Sequence, residues 1–236
     1  MNFRTLRADE IDCRISQIAS NWATLLLYKD ARCDMNILDE TVGSMNWKRE
    51  HTRDNANCVV SIYDKEKSEW VSKEDTGTES FTEKEKGLAS DSFKRACVNW
   101  GIGRELYTSP TIFIIPRKDM VKKGQESEFY QNSKGKFETK TRFYVDYIDY
   151  DDSKNIKDLI IRDNKGNIRF EQLTKETASK KNNDFMKLRK LIELCEEKDE
   201  NFNRENLYKY YKVEADSQLN CKQIEEVIRS LEKKVD

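Results

Sequence analysis

The sequence predicts an α+β chain in which antiparallel strands pack on one long central helix, followed by a small C-terminal helical module. Three observations carry this prediction. The runs Asn57 to Tyr63 and Glu69 to Lys73 flank the polar turn Asp64-Lys65-Glu66-Lys67-Ser68, a hairpin pattern with Val59, Ile62, Trp70 and Val71 available for burial. Ala89, Phe93, Ala96, Cys97 and Trp100 recur at three- and four-residue spacings, which puts them on one stripe of a helix. Beyond residue 184 the apolar residues repeat with helical period only.

Taken in order, a first helix is expected over Ala8 to Ser20, then a short apolar strand from Trp22 to Tyr28, with Lys29-Asp30 as the connection. Ala31 to Val42 places Met35, Leu38 and Val42 at helical spacing, with Gly43 as the stop. Arg32 then falls in the first turn, where the helix dipole disfavours a cation. It calls for a partner: Asp34, Asp9 or an external anion.

Met45 to Arg53 reads as a strand with Trp47, Arg49, His51 and Arg53 on one face and Asn46, Lys48, Glu50 and Thr52 on the other. Such a basic edge with an aromatic at one end suits single-stranded nucleic acid, where cations follow the phosphates and ring faces accept any base. The ordinary alternative is that Trp47 anchors the core and the charges face water.

The central helix is expected to begin near Thr82, because Thr82-Glu83-Lys84-Glu85 has the form of a capping box. Gly101 is placed to end it in a left-handed cap. Lys94 and Arg95 flank its buried stripe, and Arg104 follows in the Gly101-Ile102-Gly103 turn. Arg95 is within reach of Asp91 one turn back, and Lys94 is suited to plain solvation. With Arg104 they also form a set of phosphate-binding cations on a rigid scaffold.

Thr111 to Ile115 reads as a short strand, and Arg117 to Glu138 as a long charged loop or flap, the segment best suited to disorder. Its Lys118, Lys122 and Lys123 offer charges that are ordinarily solvated. Phe143 to Ile148 alternates cleanly. Ile156 to Arg162 and Ile168 to Phe170 frame the turn Asp163-Asn164-Lys165-Gly166, closing a second antiparallel region. The expected organisation is a domain over 1–173, a polar linker over 174–184 and a helical interaction module over 185–236. Three apolar stripes mark that module: Phe185, Leu188, Leu191, Ile192 and Cys195; Leu207, Tyr208 and Tyr211; Ile224, Val227, Ile228 and Leu231.

Composition bounds partners more than fold. With 43 Lys and Arg against 44 Asp and Glu, the chain has no bulk attraction for polyanions, so nucleic-acid binding requires segregated basic surface. The start MNFRTLRADEID has no apolar signal region, and no apolar run approaches the roughly 20 residues of a membrane span, which predicts a cytoplasmic protein without membrane contact. Six cysteines occur without a Cys-x-x-Cys pair and His51 is the one histidine, a set that fits small core residues better than zinc or disulfides.

No Gly-x-x-x-x-Gly-Lys-Ser/Thr motif is present, and the Gly-x-Gly of residues 101–103 lacks the third glycine of a dinucleotide fingerprint. An ATP-driven strand exchanger is therefore disfavoured. The rival from another class is a metal-dependent nuclease, in which Asp75 or Glu79 would have to meet Asp146, Asp149 or Asp151.

The run DSFKRACVNWGIGRELY, with the upstream ILDETVGSMNW and the paired segments SIYDKEKSEW and EDTGTES, resembles the Rad52 family of single-strand annealing proteins, in particular its phage members, over roughly residues 5 to 165. The resemblance implies a β-β-β-α core, homo-oligomerisation into rings or helical filaments, and single-stranded DNA held in a basic outer groove. The C-terminal module resembles appendages that engage a host single-strand-binding protein or a partner exonuclease. On this reading the protein is a non-catalytic annealing factor that needs no cofactor. Its candidate DNA contacts are Lys94, Arg95 and Arg104, then Arg32, Arg49, Arg53 and Lys48.

Overall fold

The computed structural model describes residues 1–78, 84–121, 123, 125–199 and 202–235. The chain is α+β with antiparallel sheets and divides into two compact units, Met1–Asp12 with Leu27–Ser109, and Cys13–Leu26 with Pro110–Asp236. This division departs from a single domain ending near residue 173.

In the first unit, Asp30 caps α1 (Ala31–Val42) by accepting from Cys33 N, and Gly43 ends the helix at φ +88, as the spacing predicts. Then β3 (Trp47–Thr52), β4 (Asn57–Asp64) and β5 (Glu69–Thr76) form an antiparallel meander in the order β3-β4-β5, numbered after two earlier strands, β1 (Asp12–Ile18) and β2 (Ala23–Tyr28). The helix α2 (Lys84–Trp100) packs across β4 and β5. Its stripe is buried as expected: Phe93, Ala96 and Cys97 are fully enclosed. Trp47 stacks on Phe93 with centroids 6.2 Å apart and donates from Nε1 to Asp39 Oδ1 at 2.7 Å, so it takes the core-anchoring role. The expected capping box of Thr82 and Glu85 falls on side chains outside the described residues.

The second unit is built on a six-stranded sheet of order β11-β10-β9-β1-β2-β6, completed by β6 (Ile112–Ile114), β9 (Phe143–Tyr150), β10 (Ile156–Asp163) and β11 (Ile168–Gln172). A small hairpin, β7 (Tyr130–Gln131) with β8 (Phe137–Glu138), precedes β9. The helices α3 (Lys175–Lys198), α4 (Arg204–Tyr211) and α5 (Cys221–Val235) follow, and Leu188, Ile192, Leu219, Val227 and Leu231 form the centre of their shared core.

Several expectations are corrected. Ala8 to Ser20 is not a helix: a single 3₁₀ turn at Ala8–Glu10 leads into β1, because Cys13 and Ile15 alternate with Asp12, Arg14 and Ser16, a strand's period. Arg53 is not in a strand: β3 stops at Thr52, and Arg53, Asp54 and Asn55 turn with φ of 53°, 51° and 69°. Asp and Asn tolerate that region, and Ser92 Oγ holds the turn by donating to Asn55 O at 3.0 Å.

Residues 174–184 are no linker. Thr174 caps α3 by accepting from Thr177 N, and the Lys, Glu and Ala that follow are good helix formers. The described residues of 117–138 are not a free flap either: Phe129, Met120 and Glu128 are buried, and Glu128 takes a bidentate hydrogen bond from Arg169 with both contacts at 2.9 Å. A charged segment is fixed here by two buried apolar side chains and one enclosed ion pair.

Candidate nucleic-acid interface

The carbonyls that end α2 have no intrahelical donors, so other groups must satisfy them. Gly101, at φ +100, turns the chain as the sequence predicts, and two cations complete the end. Arg104 Nη2 donates to Val98 O at 2.9 Å and to Asn99 O at 3.2 Å, while Lys73 on β5 donates from Nζ to Asn99 O at 2.8 Å. Cations here meet the negative end of the helix dipole, a contact worth about 0.3–1 kcal/mol at an exposed site. Lys73 Nζ also lies 4.6 Å from the centroid of the Trp100 ring.

Arg95, one turn earlier, pairs through Nε with Asp75 Oδ1 at 3.3 Å, and Asp75 Oδ2 accepts from Asn99 Nδ2 at 3.3 Å. Asn99 thus links Lys73, Arg95 and Arg104 with one carboxylate, Asp75, and all three cations are exposed. Asp91, the acid within reach of Arg95 by sequence, instead accepts from Thr78 N at 2.9 Å and Thr78 Oγ1 at 3.2 Å.

The other expected contacts are placed differently. Lys94 is adjacent to Arg95 in sequence, but successive helical residues are turned by about 100°; it is half-buried where Arg95 is exposed. Arg49 lies on the sheet face that α2 covers, its guanidinium 4.7 Å from the Phe93 centroid. Lys48 is on the opposite face, 5.2 Å from the Trp70 ring and paired with Glu50 at 3.3 Å. Arg53 is exposed on the β3–β4 turn. Arg32 pairs with the cap residue Asp30 at 2.7 Å, neither with Asp34 nor with Asp9.

The structure therefore brings Arg95 and Arg104 together and adds Lys73, which sequence reasoning missed. Its signal is the alternation of Val71, Lys73 and Asp75 on one face of β5, opposite Ile62, Val60 and Cys58 of β4. His51 adds no charge near neutrality, since burial, and after it Arg49, holds its pKa below the ordinary value.

The carboxylates that a nuclease would require are engaged singly. Asp146 accepts from Arg162 at 2.7 Å, Asp149 pairs with Lys157 at 3.0 Å, and Asp151 closes its own turn through Ser153 N and Asn155 N. Glu79 lies outside the described residues, as does Lys122. Among the described residues no group of three or more His, Cys, Asp or Glu is placed to hold a metal ion, and no helix is long and apolar enough to cross a membrane.

In comparisons with protein-family models, curated proteins and solved structures, nothing matches this chain.

Proposed function

We propose that this protein binds single-stranded DNA and anneals complementary strands without ATP or metal, as a non-catalytic factor in recombination. The observation that carries the reading is the convergence of Lys73, Arg95 and Arg104 at the exposed end of α2, three cations against one carboxylate in a chain of net charge −1. Backbone phosphates are the matching ligand, because such contacts fix a strand without reading its sequence and leave its bases open for pairing. The succession β3, β4, β5, α2 is the order that the resemblance to the Rad52 family implies. Lys94 extends the contact around the helix, and Arg49, Arg53, Lys48 and Arg32 are secondary candidates.

Few contacts per protomer bind weakly. Assembly into a ring or filament of identical subunits makes each later contact intramolecular and multiplies them. The C-terminal helices are the surface for a single-strand-binding protein or an exonuclease.

Two complementary oligonucleotides, mixed with the protein in a chelator and without nucleotide, provide the test. Annealing faster than the spontaneous rate is expected. An unaccelerated time course from folded protein, or cleavage of the oligonucleotides once magnesium replaces the chelator, would remove the reading.

A further inference from the structure

Arg104 opens a short 3₁₀ helix, Arg104–Thr108, directly after the Gly-x-Gly turn. This helix is held at three points. Gly103, just before it, packs against Lys29, whose ammonium pairs with Asp34 inside the first unit at 4% and 0% side-chain exposure. Glu105 is buried and accepts from Leu6 N at 2.7 Å, and Thr108 Oγ1 donates to Glu105 O at 2.7 Å. Tyr107 belongs to the same fixed turn, yet it is 71% exposed. Trp70, Phe113 and Tyr210 are exposed as well, but each lies against a second ring, that of Tyr63, Trp22 and Tyr211 respectively. Tyr107 has no ring or hydrogen-bond partner among the described residues. Residues three apart in a 3₁₀ helix stand in line, so Arg104 and Tyr107 share one side of the turn, about 6 Å apart along its axis. From that side Arg104 reaches Val98 O and Asn99 O, which sets Tyr107 next to the cations at the end of α2.

We infer that Tyr107 stacks on an unpaired base of the strand whose phosphates are held by Lys73, Arg95 and Arg104. This rests on the proposed function and narrows its substrate to a strand with free base faces. A cation with an aromatic ring one turn on matches a nucleotide, which carries an anion at one end and a flat π face at the other. Stacking covers that face and leaves the hydrogen-bonding edge of the base open, so a complementary strand can still be tested by pairing. Every base has such a face, so the contact reads no sequence. In a duplex the faces are already stacked on their neighbours, and the ring therefore favours single strands. A tyrosine on a fixed turn also loses little conformational freedom when it binds.

The full chain, titrated over a range of salt with a short oligothymidylate, an abasic strand of the same length and a duplex, tests this. Tyr107→Ala should weaken binding to oligothymidylate at least about fivefold, the low end for one stacked base, with the salt slope unchanged because no phosphate contact is lost. Tyr107→Phe should bind as the wild type does. Neither the abasic strand nor the duplex should distinguish Tyr107→Ala from the wild type. Equal affinity of Tyr107→Ala and the wild type for oligothymidylate overturns the stacking and leaves the proposed function standing. So does a loss that Tyr107→Phe shares, or an equal loss on the abasic strand or the duplex. Absence of binding by the wild type at every salt concentration overturns both.

Discussion

Lys29 lies across Gly103, where a β-carbon would overlap the lysine's Cε and come within 2.8 Å of its Cδ. The second glycine of the Gly-x-Gly turn is thus a packing requirement of the buried Lys29–Asp34 pair. Gly103 also sits at φ +71, a region that costs other residues about 1–3 kcal/mol. Gly103→Ala is therefore expected to lower stability by at least that amount in a denaturant titration, whereas Gly101→Ala, with nothing within 4 Å of its β position, should cost only the backbone strain.

The ion pair itself has an asymmetric prediction. Asp34→Ala strands a buried ammonium and should cost about 3–5 kcal/mol, whereas Lys29→Met with Asp34→Leu removes both charges and should be far milder. Equal losses in the single and double variants, measured by chemical unfolding, would show that the pair is not the enclosed unit described.

Stability should carry a pH signature from the same carboxyl. Asp34 is raised from 3.8 to about 6 by burial, so between those values the folded state holds a proton that the unfolded state has released. Its contribution therefore falls as pH rises through that window, by on the order of 3 kcal/mol. Glu10 and Asp30, whose pKa values are lowered, behave oppositely: their contribution is present above the ordinary carboxylate range and lost as pH falls through the lowered values. Melting curves for the wild type and the Lys29→Met, Asp34→Leu variant should diverge with pH in the direction set by Asp34. Parallel curves would contradict the assignment.

Removing the C-terminal helices should damage the six-stranded sheet. Asp158 on β10 accepts from Thr174 and Thr177 at the start of α3, and Asp146 on β9 accepts from Cys221 N at the start of α5. Arg162, fully buried, donates to Ser217 O at 2.9 Å. Truncation after residue 173 removes the donors to Asp158 and uncovers the Arg162–Asp146 pair, which keeps its mutual contact at 2.7 Å, and a loss of several kcal/mol is expected. A truncated protein with unchanged unfolding behaviour would mean that the helices are an independent appendage.

Elements with strong periodicity and turn chemistry were legible in the sequence: the β4–β5 hairpin, α1 with its Gly43 stop, the stripe and Gly101 cap of α2, and the β10–β11 turn. Errors arose where local pattern and tertiary partner disagree. Ile11, Cys13 and Ile15 fit a strand's period, but only the neighbouring strands decide between that and a helix. TKETASKKNND is polar enough for a linker, yet its helix formers and Thr174 cap suit a docked helix. The site was half legible. Residue type marks Arg95 and Arg104 as candidates, whereas Lys73 is recruited through strand register, and Lys94 is separated from Arg95 by the rotation of one helical residue.

The most direct test of the central claim is the salt dependence of single-stranded DNA binding by the wild type and by a Lys94→Ala, Arg95→Ala variant whose fold has been verified. Each lost phosphate contact should reduce the slope of log affinity against log salt by about 0.7 and weaken binding at every salt concentration. An unchanged affinity and slope would contradict a phosphate track along the end of α2.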